Sequence, residues 1–177
     1  MSWNYPTVRV FANPETQNFV VTQTVGFLIS FAHSRGLETE QISNKREELD
    51  SALYTYIATR HLQVVRIEVV DQEDINTAIE WADLLFEWVS ADDLEKGQES
   101  DFDQSRKDAM KQLQGLNPFP SSTEYRVLLG IASENDLGQA PPSIDGWVKT
   151  TPRSPPESAD VQDKDRQCDL TWYEHIL

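Results

Sequence analysis

The sequence has few of the residues from which most enzymes build their sites. Its 177 residues include one cysteine, Cys168, and three histidines, His33, His61 and His175. One cysteine excludes an intrachain disulfide and any zinc centre made of several thiolates. It suits a reducing compartment. No phosphate loop, dinucleotide fingerprint, HExxH or GxSxG motif is present. Asp101-Phe102-Asp103-Gln104-Ser105 begins like a calcium loop, but Arg106 and Gln112 stand where the glycine and the final glutamate belong. The expectation is therefore no metal and no cofactor, with a binding role favoured over an enzymatic one.

Basic residues are also scarce, with 15 Lys and Arg against 30 Asp and Glu and a net charge of −15. That balance argues against direct contact with a nucleic-acid backbone, which needs clustered cations. Met1 to Pro6 lack the basic and apolar regions of a secretory signal. The most apolar run, Phe19 to Ala32, is shorter than the roughly 20 residues of a membrane span. A soluble cytoplasmic protein without membrane contact is expected.

The negative charge is concentrated. Residues 71–103 hold twelve acids and one base, Lys96, giving −11 of the total. A field this localised speaks about partners and solubility.

Periodicity predicts the order β-α-α-β-α-α-β-β. Tyr5 to Phe11 alternates as a short strand. Residues 17–35 have a helical period with a wide apolar face, and Gly36 is placed to end that helix. A second helix covers about 39–62. Gln63 to Val70 is β-branched and reads as a strand. Residues 73–90 read as a third helix and 104–114 as a fourth, with a polar loop at 91–103. Tyr125 to Ile131 alternates as a strand, and Trp147 to Thr151 is a last short one. The implied fold is α+β, with a small, mostly antiparallel sheet of 3–4 strands packed against about four helices. Residues 1–150 form one domain, 151–160 a Pro/Ser-rich linker and 161–177 a C-terminal docking segment.

On a helical wheel the third helix has three faces. Ile75, Ala78, Ile79, Ala82, Leu85, Phe86 and Val89 make a core stripe. Glu73, Glu80, Asp83 and Glu87 make a carboxylate ladder, and Trp81, Leu84 and Trp88 a tryptophan stripe. The tryptophan stripe is either a second core face or an anchor patch rimmed by acids. As an anchor patch, Glu80, Trp81, Asp83, Leu84, Glu87 and Trp88, with Asp92 and Asp93, would bind a basic protein partner. Trp172 and Tyr173 in the tail would add a second contact, in cis or to another copy of the chain. The function expected is that of a non-catalytic binding protein: a regulator, inhibitor or assembly factor. A DNA mimic occupying a basic cleft, a small enzyme without a recognisable motif, and a structural subunit joined through its tail are the alternatives.

Overall fold

The wide apolar face of residues 17–35 becomes α1, Gln17–Ser34, with Val20, Val21, Val25, Phe27, Leu28, Phe31 and Ala32 buried. The computed structural model describes residues 5–90, 98–156 and 170–175. Gly36 ends α1 at φ +72°, its N–H on the His33 carbonyl at 3.2 Å, while Leu37 N–H returns to Ala32 at 2.8 Å. Only a residue without Cβ suits this turn, because a Cβ would meet Pro118 Cβ at 2.7 Å. The expected second helix is broken at Lys45 into α2, Glu40–Asn44, and α3, Arg46–Ala58. α3 buries Leu49, Ala52, Leu53, Tyr56 and Ile57 against α1 and the sheet.

The sheet is built from β1 (Thr7–Ala12), β2 (Leu62–Asp71), β3 (Asp74–Trp88), β4 (Thr123–Ala132), β5 (Trp147–Thr150) and β6 (Leu170–His175). Its order is β1-β3-β2-β4-β6-β5. β1 runs parallel to β3, and the other pairings are antiparallel. One face holds Val65, Ile67, Val69, Ala82, Leu84, Leu129 and Ile131 in the core with α1 and α3. The opposite face carries Arg66, Glu68, Trp81, Asp83, Arg126, Leu128, Trp172 and Glu174, because directly paired residues share a face. α4, Gln98–Leu113, lies along the free edge of β1. There the Ser105 hydroxyl accepts the Arg9 N–H at 2.9 Å, satisfying a donor the ladder leaves over. α5 is a single turn, Glu134–Leu137.

The α+β class stands, but the sheet does not match the expectation. It has six strands, not three or four, and is mixed because of the parallel β1–β3 pair. Two of the additional strands come from segments read otherwise. Residues 74–88, expected as a helix, are β3, paired on both edges. Both faces of β3 are covered, so the polar–apolar alternation that marks a half-exposed strand is missing. Its Ala, Glu, Asp and Leu content then imitates a helix. The second is β6, at residues 170–175, which inserts between β4 and β5.

Candidate protein-binding surface

Strand geometry turns Glu80 and Asp83 of the expected carboxylate ladder inward, onto opposite faces of the sheet, and leaves Glu73 exposed and Glu87 partly exposed. Asp83 accepts from Arg66 Nε at 2.7 Å and Nη2 at 2.9 Å, and both side chains are about 95% buried. The Arg66 guanidinium lies between two indoles, 4.0 Å from the Trp81 ring centre and 4.8 Å from that of Trp172. Glu80, on the helix-covered face, pairs with Arg35 Nε at 2.9 Å, and Arg35 rests 4.0 Å over the Phe119 ring. Glu68, 0% exposed, takes Arg126 Nε at 2.8 Å and Arg153 Nη1 at 2.7 Å, and Arg126 also reaches Glu174 at 2.8 Å.

Burial would raise the Glu68 pKa, but hydrogen bonds from Arg126 and Arg153 outweigh it and hold the carboxyl below its ordinary value. Burial would lower Arg126, and Glu68 and Glu174 together raise it. Burial pushes the hydroxyls of Tyr56 and Tyr125 up to about 12.

The residues expected to form one exposed patch are therefore separated. Trp81 is 3% exposed and Leu84 is fully buried, on opposite faces of β3. Trp88 is half-buried, stacks on Phe86 and donates to the Leu62 carbonyl at 3.0 Å. Glu87 is partly exposed and pairs with Arg9. Trp172 and Tyr173 are half-buried in β6, the latter stacked on Tyr56. Asp92 and Asp93 lie outside the described residues, as does Cys168. The helix expected over residues 73–90 is the strand β3 at residues 74–88, and Glu80 and Asp83 are neutralised by Arg35 and Arg66 inside the fold.

What stays in solvent is the tip of the β2–β3 hairpin. Gln72, Glu73, Asp74, Ile75, Asn76 and Ile79 are exposed, and Asp71 is half-exposed. Ile75 at 53% and Ile79 at 36% are two of the four large apolar side chains exposed among the described residues. The tip is held in shape from behind. Asp71 Oδ1 accepts the Glu73 N–H at 3.0 Å, Gln72 N–H reaches the Ser122 carbonyl at 2.9 Å, and Ala78 N–H reaches the Ser154 carbonyl at 2.9 Å. Arg153 donates to the Ile75 carbonyl. β2 and β3 fall out of register here, between Val69 and Asp71. This surface was missed because Ile75 and Ile79 fit the core stripe of a helix, and only a strand with a register shift leaves them outside.

A cavity of about 120 Å³ opens on the helix side, near the β5 end of the sheet, with Ile42, Leu49, Tyr125, Trp147 and His175 in its walls. Trp147 Nε1 and His175 Nδ1 are buried without a hydrogen-bond partner. His33 is exposed, and His61 is buried with Nε2 2.9 Å from the Gln139 carbonyl oxygen. Among the described residues, no three His, Cys, Asp or Glu side chains converge to hold a metal, and no helix is long and apolar enough to cross a membrane.

The chain is thus a helix-backed mixed sheet with a solvent-facing β2–β3 hairpin. Residues 5–161 match the family described as Bacterial HORMA domain 2, and the chain belongs to that family. HORMA domains bind partner proteins in regulatory roles. A search of curated proteins finds no match to this chain.

Proposed function

We propose that this protein is a non-catalytic binding regulator that docks a basic partner protein on the tip of the β2–β3 hairpin. The carrying observation is the placement of Ile75 and Ile79, exposed beside Asp71, Glu73 and Asp74. Two apolar side chains supply the desolvated contact. The carboxylates around them steer a cationic surface and set its orientation. Residues 151–156, through Arg153 and Ser154, fix the tip's backbone and so lower the ordering cost of binding.

The test is affinity capture from a lysate of the source cell with the wild-type chain and with Ile75→Asp/Ile79→Asp. Both positions are exposed, so the variant should unfold within about 0.5 kcal/mol of wild type. Proteins retained by wild type and lost by the variant support the reading, with retention weakening as salt is added. Identical captures by the two chains reject it.

A further inference from the structure

We propose that the tip of the β2–β3 hairpin docks in the groove between the end of α1 and the second half of α4 on another copy of this chain. The groove is then the basic surface required by the hairpin-tip reading, on which this assignment rests. It is open and holds about 490 Å³, well above the ~150 Å³ that accepts a benzene ring. An isoleucine side chain therefore has room. The lining is apolar at Met110 and Leu113, and Lys107 and Lys111 stand one helical turn apart beside them.

Charge decides which surface fits this groove. No carboxylate lines it. Lys107 and Lys111 are exposed and make no ion pair among the described residues; the ion pair of α4 is Arg106 with Asp103. Asp108, on the same helix, accepts from the Gln104 amide at 2.8 Å. The hairpin tip has the opposite character. Ile75 and Ile79 are exposed beside Asp71, Glu73 and Asp74, and these acids make no ion pair among the described residues. Arg153, the cation behind the tip, is held by Glu68 at 2.7 Å. Isoleucine against Met110 and Leu113, with carboxylates facing the two ammonium groups, satisfies both surfaces.

The two surfaces are neighbours. Arg35 follows Ser34, which lines the groove, and pairs at 2.9 Å with Glu80, which follows Ile79. A two-fold axis then lets each copy place its tip in the other's groove, so the contact is made twice. The net charge of −15 opposes contact between copies at long range. At ~0.15 M salt the Debye length is about 8 Å, so that repulsion is screened while the facing groups still attract. The expected product is a reversible dimer of the 20.2 kDa chain.

Sedimentation equilibrium of the full chain at ~0.15 M salt measures this dimer directly. Lys107→Glu/Lys111→Glu reverses the groove, and Glu73→Lys/Asp74→Lys reverses the tip. All four positions are exposed, so both variants keep the fold. Each variant alone sets like charges at both contacts and should dimerise at least about tenfold more weakly. Mixed in equal amounts, the two set opposite charges at both contacts and should restore the dimer. Tip reversal also makes the chain less negative, so overall repulsion alone would strengthen its dimer, and tip docking requires the opposite. A wild type that stays monomeric up to about 1 mM, a dimer indifferent to either reversal, or a mixture no better than its components overturns the proposal. If the wild type is monomeric while Ile75→Asp/Ile79→Asp still loses a captured protein, the docking reading stands and the second copy is rejected as its partner.

Discussion

Replacing Asp83 with alanine should cost far more than the loss of a surface carboxylate. Arg66 is 3% exposed, donates twice to Asp83, and makes no other ion pair among the described residues. The tryptophans on either side, Trp81 and Trp172, close off solvent. Asp83→Ala leaves that guanidinium charged and buried, a situation that costs about 3–5 kcal/mol. In a chain of this size each kcal/mol lowers Tm by about 2–4 °C, so the midpoint should fall by about 6–20 °C. The double replacement Asp83→Leu/Arg66→Met removes both charges and keeps apolar volume between the indoles. It should recover most of the loss, because apolar substitutes for buried ion pairs are often neutral or stabilising. Urea unfolding followed by tryptophan fluorescence gives the three midpoints and slopes. A loss below about 1 kcal/mol for Asp83→Ala would show that Arg66 reaches water or another anion, and the reasoning fails.

Gly36→Ala should destabilise by about 1–3 kcal/mol, from the left-handed backbone and from the 2.7 Å approach to Pro118 Cβ; thermal unfolding checks this, and a neutral result refutes the tight approach. Arg126 and Arg153 hold the Glu68 carboxyl below its ordinary pKa of 4.5, so its ionised form stabilises the fold fully above pH 4.5 and less as pH falls toward the depressed value. Glu68→Gln should therefore flatten the acid limb of a stability–pH curve, and an unchanged limb contradicts the pairing with Arg126 and Arg153. At the hairpin tip, Ile75→Asp/Ile79→Asp should reduce partner capture with little change in the unfolding midpoint.

The legible parts of the sequence are those marked by a local pattern: a helical period, a glycine stop or a run of β-branched residues. The apolar arc of α1, its end at Gly36 and the β-branched run of β2 could be read because each pattern depends on near neighbours in the chain. β3 could not, because its character is set by residues far away. Asp83 is buried by Arg66, Glu80 by Arg35, and the two edges of the strand by β1 and β2. From the sequence alone, an acid awaiting a distant arginine looks the same as an acid facing water. Locating the acidic segment as charge-dense was therefore right, while the surface drawn from it was not: three of its turn and tip acids, Asp71, Glu73 and Asp74, stay outside, and Glu80 and Asp83 do not. The cavity depends on α2, β4, β5 and β6 meeting, and no spacing in the chain announces it.

The insertion of β6 between β4 and β5 also constrains assembly. β5 precedes β6 in the chain, yet its backbone ladder joins the sheet only through β6. Until residues 170–175 arrive, residues 147–150 have no ladder to join and β4 has a bare flank. Closing that side of the molecule is a late, long-range event, and loops that close over such distances slow folding. A nascent chain stopped before residue 170 would expose a β4 flank that other strands could add to.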